Sequence, residues 1–231
     1  MADMKQGPLI VIEGSDGAGK ETQAKALVKE LSKKYHVTYF DFPRYRESLA
    51  GELVGRGLAG EFGDFVALPA EIASLPYMLD RVSAIPKITQ ALSQGIVVCN
   101  RYTPSNAAYQ SGKFASKKKR DTFVRWLEKL EYRELGIPKP TLVLYLHVPL
   151  AVSQELIAEK KKRAYLGGKK GRRDYHERSL SLQRSAIRQY RSLAAMRPDW
   201  IEIDCAPRGN MRSVAFIHQE ILQAVRRRLK L

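Results

Sequence analysis

The feature that most restricts how this chain can fold is short. Gly14-Ser15-Asp16-Gly17-Ala18-Gly19-Lys20 follows an apolar, β-branched run at 9–13 and leads into an amphipathic segment at 20–34. That strand–loop–helix order is the setting a phosphate-binding loop requires, whereas a plain glycine-rich turn has no need of the lysine. Glycines let backbone N–H groups turn inward around phosphates, and the helix N-terminus adds partial positive charge. Lys20 is placed to reach the β and γ phosphates of a nucleoside triphosphate. The nucleotide phosphate-binding segment is therefore read as Gly14, Ser15, Asp16, Gly17, Ala18, Gly19, Lys20, Glu21 and Thr22.

The remainder of the chain extends the same pattern. Strand-like runs stand at 9–13, 37–42, 96–100, 141–147 and 200–204, several of them continuously apolar, as in a parallel sheet covered on both faces. Helical periodicity fills about 20–34, 70–93, 118–135, 150–163, 174–196 and 211–229. Alternation of this kind predicts an α/β fold, a P-loop three-layer α/β/α sandwich on a five-stranded parallel sheet. With 231 residues and no low-complexity linker, the expectation is a single domain over 1–231. A glycine-rich basic stretch near 166–173 is too polar for a core and reads as a loop between two helices.

The formal net charge of +16 raises nucleic-acid binding, but much of the excess lies in blocks at 117–120, 160–173 and 226–230. The first and last read as solvated helix faces or ends. Basic surface alone gives only salt-sensitive, nonspecific binding, so a nucleic-acid partner is not expected. No apolar run is long enough to span a bilayer, and the N-terminus lacks the features of a signal peptide. The two cysteines, Cys99 and Cys205, sit in or beside apolar runs and read as buried thiols, which suits a reducing cytoplasm. They form no ligand cluster for zinc.

Further motifs lie in a fixed order along the chain. Asp41-Phe42-Pro43-Arg44-Tyr45 follows the second strand, Leu79-Asp80-Arg81 lies in a helix, and Asn100-Arg101-Tyr102 with Ser105-Asn106-Ala107-Ala108-Tyr109-Gln110 follows the third strand. Arg172-Arg173-Asp174-Tyr175-His176-Glu177 closes the basic stretch. Together with Asp16-Gly17, this series resembles the thymidylate kinases over nearly the whole chain. The resemblance implies phosphorylation of dTMP by ATP with Mg²⁺, a homodimer formed partly through the 70–93 helix, a monophosphate-binding region at about 42–110 and a lid at about 160–177.

It also implies roles for single residues. Arg81 and Asn106 would hydrogen-bond the thymine edge, Tyr77 would stack on the base, and Phe42 would wall the pocket. Arg101 and Tyr45 would hold the monophosphate, Ser105 belongs to the same binding segment, and Tyr109 would crowd the sugar 2′ position. Each also has a plainer reading: Phe42 and Tyr77 as core aromatics, Arg81 as an ion-pair partner, Tyr109 as a loop cap. Phosphoryl transfer depends on positioning and cationic stabilisation. The loop offers Gly17 where some relatives carry an arginine, so the lid would supply one; Arg163 and Arg172 come first, with Arg173 as the other candidate. Lys20, Asp16, Arg101, Arg163 and Arg172 are the expected catalytic group, with Asp16, Glu177 and Glu21 toward the metal.

Two positions depart from the pattern. Glu21 stands where a Ser or Thr hydroxyl ordinarily meets Mg²⁺, and Thr22 lies about 100° further round the helix. Three roles are open to Glu21: a metal ligand, a bystander, or a repulsive neighbour of the phosphates. Asn100 stands where the family carries Asp, so a carboxylate lost at 100 is matched by one gained at 21. Two other functions fit the residues less fully: a kinase for another nucleoside monophosphate or a deoxynucleoside, and a nucleotide-binding protein without kinase activity.

Overall fold

The computed structural model describes residues 6–166 and 179–231, with the backbone alone for 160–166. Five strands, β1 (Leu9–Gly14), β2 (Val37–Asp41), β3 (Ile96–Asn100), β4 (Leu142–His147) and β5 (Trp200–Asp204), pair in parallel in the order β2-β3-β1-β4-β5. Around them lie α1 (Lys20–Leu31), α2 (Leu49–Ala59), α3 (Ala70–Gln94), α4 (Thr103–Ser111), α5 (Lys117–Glu128), α6 (Leu150–Leu166), α7 (Leu180–Met196) and α8 (Val214–Leu229). Every strand falls within one residue of its predicted bounds.

Side chains alternate across the pleat, and both faces are buried. Leu9, Val11, Val97, Cys99, Val143 and Tyr145 point into one core, shared with Met78, Ile88, Ala107 and Tyr190 from α3, α4 and α7. Ile10, Ile12, Val98, Leu142, Leu144 and Leu146 point into the other, with Leu27 of α1 and Ile221 of α8. The sheet is thus the middle of three layers, and Cys99 in β3 and Cys205 just after β5 are buried free thiols.

Two helices were not foreseen. Three glycines in α2, Gly51, Gly55 and Gly57, weaken its helical signal. They are there for close packing: a Cβ at Gly51 would stand 2.2 Å from the Arg44 carbonyl oxygen, and one at Gly57 2.7 Å from the Phe65 ring. Helix α4 is short and carries polar residues, yet eight of its nine residues are buried, because its polar side chains serve an internal network rather than solvent. The predicted 118–135 helix is α5 continued by a π-helical turn, Lys129–Glu134, which turns Glu131 inward.

Candidate nucleotide site

Parallel pairing brings the C-terminal ends of β1, β2 and β3 together, and the site is built there. After Gly14 the chain wraps through Gly17 (φ 81°) and Gly19 (φ 77°), left-handed conformations that favour glycine. At Gly17 a Cβ would also meet the Ser153 carbonyl oxygen at 2.6 Å. Gly19 caps α1 without a side-chain acceptor, so the first-turn N–H groups face the loop. Lys20 lies buried over this loop and donates to the Ser15 carbonyl at 2.7 Å. Burial, reinforced by the nearby Arg101 charge, pushes the Lys20 ammonium down to about 7, against the pull of Asp16, Glu13 and Asp41.

Opposite the loop, Arg101 holds φ 60°, rare for a non-glycine residue, while its N–H donates to the Ile12 carbonyl at 3.0 Å. Its guanidinium donates to Asp16 Oδ1 and, at 3.2 Å, to Ser105 Oγ, and lies 5.5 Å from the Tyr109 ring centroid. Tyr109 Oη donates to the other Asp16 oxygen at 3.3 Å. Behind this group stands Glu13, a fully buried carboxylate that accepts from Tyr102 N (2.8 Å), Ser105 N (3.1 Å), Ser105 Oγ (2.7 Å) and Tyr190 Oη (2.8 Å). In effect Glu13 caps α4 from a neighbouring strand and fixes the turn that carries Arg101. Burial raises its carboxyl above the ordinary range, opposed by Arg101 and these donors.

A cleft open to solvent lies beside the loop, lined by Phe42, Tyr45, Tyr77, Arg81, Asn106 and Tyr109, with Asp16, Arg101 and Ser105 at its loop end. Its floor rests on two buried ion pairs. Arg44 binds Asp80 through Nε (3.0 Å), its backbone N–H (2.8 Å) and the Asp80 carbonyl (2.6 Å), tying the segment after β2 to α3. Arg81 pairs with Glu131, and Asn106 Nδ2 donates to the same Glu131 oxygen at 3.1 Å and to the Ser74 carbonyl at 3.2 Å. Phe42 is buried edge-on to Tyr102, while Tyr77 is half-buried near Phe65.

The residues predicted for the base and the monophosphate therefore meet in one place, with Asp16 of the loop beside them. Glu21 forms an ion pair with Lys25 at 2.5 Å, both side chains largely exposed, and Thr22 is exposed on the same turn. Asn100 donates to Asp41, so the carboxylate nearest this departure stands on β2. The side chain of Arg163, and Arg172, Arg173, Asp174 and Glu177, lie outside the described residues. Glu13, Glu131, Asp41, Asp80 and Tyr190 went unassigned in the sequence. Glu131 carried a readable signal, since it falls four residues after Leu127 on the buried stripe that also holds Phe123 and Val124. Glu13 carried one too, as a charge ending an apolar strand.

Among the described residues no three carboxylate, histidine or cysteine side chains cluster as a metal cage. Mg²⁺ in kinases needs none, being held by one or two carboxylates, water and the substrate phosphates. Asp16 stands at the loop mouth, and Asn100 Oδ1 is buried with no hydrogen-bond partner, so the polar groups present fit such an ion. No helix of the described residues is long and apolar enough to cross a membrane.

A parallel sheet in this strand order, with a glycine-rich phosphate loop between β1 and α1, defines the P-loop class of α/β nucleotide-binding proteins. Within it, the chain belongs to the thymidylate kinase family, whose model matches residues 12–213. It is 36% identical over 194 residues to the thymidylate kinase of Mycobacterium tuberculosis, covering 81% of this chain and 86% of that one. It is 30% identical over 228 residues to that of Plasmodium falciparum, covering 96% and 91%. The fold is also that of the Candida albicans thymidylate kinase structure, with a TM-score of 0.70, 21% identity, and coverage of 95% of this chain and 91% of that one.

Proposed function

We propose that this protein phosphorylates dTMP at the expense of ATP, giving dTDP and ADP in a step of dTTP synthesis. The observation that carries this reading, with the family membership, is a cleft lined by Phe42, Tyr77, Arg81 and Asn106 that reaches Asp16 of the phosphate loop and Arg101. Tyr77 and Phe42 face the base, and Arg81 and Asn106 meet its polar edge. Tyr109 lies against the sugar, and Arg101, Tyr45 and Ser105 serve the monophosphate.

In the reaction an oxygen of the dTMP phosphate attacks the ATP γ phosphorus as the bond to the ADP oxygen breaks. No strong base is required, because the second ionisation of a phosphate monoester lies near pH 6. Lys20 and the first-turn amides of α1 hold the β and γ phosphates, and Arg101 leaves Asp16 to bind the acceptor phosphate. Mg²⁺, when bound, would offset phosphate charge; Asp16 would hold it or its waters, with Glu177, Glu21 and the unpartnered Asn100 Oδ1 as further candidate oxygens. Arg163 and Arg172 would complete the cationic shell from the lid.

We read the chain as a single cytoplasmic domain that works as a homodimer. In support of the dimer, Ile72, Leu75 and Leu79 are exposed at helical spacing along α3. The test of function is ADP release from ATP and Mg²⁺ with dTMP, dUMP, dCMP, dGMP and UMP in parallel. Turnover largely confined to dTMP supports the assignment, and none with any monophosphate despite ATP binding overturns it.

A further inference from the structure

The cavity floor holds a carboxylate that would touch no substrate atom, yet it binds both side chains that would read the base. Glu131 is 1% exposed, sits in the π-helical turn after α5, and receives Arg81 Nη2 and Asn106 Nδ2 on a single oxygen. An extra residue in a helical turn of this kind is often found at functional sites.

The bonding decides which way the Asn106 amide faces. Both Nδ2 hydrogens are used, one by Glu131 and one by the Ser74 carbonyl, and neither acceptor can donate when Glu131 is ionised. Oδ1 is then the amide atom offered to a ligand, beside the Arg81 donors. An acceptor beside donors complements the N3–H and O4 edge of thymine or uracil. Cytosine presents the reverse, a bare N3 and an amino group. With the amide turned over, Nδ2 would meet the bare N3 of cytosine while Oδ1 faced Glu131 and the Ser74 carbonyl. We propose that Glu131 is a positioning residue that locks Asn106 and Arg81 for a thymine-type edge and thereby sets the preference for dTMP over dCMP. The proposal rests on the dTMP kinase reading above.

The test is the ratio of kcat/KM for dTMP to that for dCMP, measured on the same preparations of the full chain and of two variants. Glu131→Gln keeps the shape but loses the charge and can donate to a turned amide; Glu131→Leu fills the space with no acceptor. A role in folding alone lowers both substrates alike and leaves the ratio unmoved, since the active fraction cancels. We expect the ratio to fall at least about threefold in Glu131→Gln and further in Glu131→Leu, mainly through KM for dTMP, with KM for ATP within about twofold of the parent. A smaller fall in Glu131→Gln overturns the proposal, and that variant decides alone if Glu131→Leu is insoluble. Absence of dTMP turnover in the unaltered protein removes the function itself, a result separate from an active enzyme whose ratio does not move.

Discussion

Asn100 Nδ2 donates to Asp41 Oδ1 at 2.7 Å, between two residues that face each other on neighbouring parallel strands. A carboxylate at position 100 would therefore meet another one rather than open space. Asn100→Asp should place two carboxylates within hydrogen-bonding distance and raise one of them well above the ordinary range. A carboxyl raised in the folded state gives stability that is present at low pH and lost as pH rises through the raised value. The melting temperature of Asn100→Asp should thus fall further below the parent at pH 8 than at pH 5, and Asp41→Asn added to it should remove that pH dependence. Equal deficits at both pH values would sink the idea.

Lys20 carries a second pH signature. Its ammonium sits at about 7 in the free protein, against an ordinary 10.5, chiefly through burial. Triphosphate oxygens beside it favour the charged form, so ATP binding between those two values should draw a proton from solvent. Calorimetry at pH 8.5 in two buffers of different ionisation enthalpy should show net uptake that disappears in Lys20→Met. Identical heats in both buffers would remove the argument.

Glu13 is buried beneath four donors and should be costly to remove. Glu13→Ala leaves Tyr102 N, Ser105 N and two hydroxyls without their acceptor, a loss of about 2–4 kcal/mol in denaturant unfolding. Tyr190→Phe removes one donor and should cost only about 1 kcal/mol. Since Ser105 also receives Arg101, Glu13→Ala should raise KM for dTMP more than KM for ATP. A Glu13→Ala protein as stable as Tyr190→Phe would contradict this account.

The stripe on α3 offers a test of assembly. Leu75→Glu with Leu79→Glu changes two exposed side chains and no core contact, so the chain should remain folded. Light scattering after gel filtration should then give half the parent mass. A dimeric variant would place the interface elsewhere.

Much of the site was legible because its residues sit in short, ordered segments. The loop at 14–20, the segment at 41–45 and the run at 100–110 each follow a strand, and parallel pairing alone brings strand ends together. The supporting carboxylates were harder to read. Glu131 lies 50 residues from Arg81 and 25 from Asn106, and Glu13 lies 177 residues from Tyr190. No local spacing encodes such contacts. Helix α2 was hidden for a different reason, since its glycines answer to the Arg44 carbonyl and the Phe65 ring rather than to helix propensity. The lid arginines, having no strand to anchor them in the sequence pattern, rest on resemblance alone.

Arg101 N–H bonds to the Ile12 carbonyl, the last rung joining β1 to β3, while β1 runs on beside β4 as far as Gly14. The strand that leads into the phosphate loop and the strand that leads into the Arg101 turn thus run one ladder spacing apart, about 4.8 Å. Backbone bonds, not side chains, act as the ruler for that gap. On the proposed reading, substitution at 81, 106 or 131 would change which base is admitted while the backbone rung between β1 and β3 stays where it is. Selectivity and reach would then be separately adjustable, the pocket being retuned without disturbing the place of transfer.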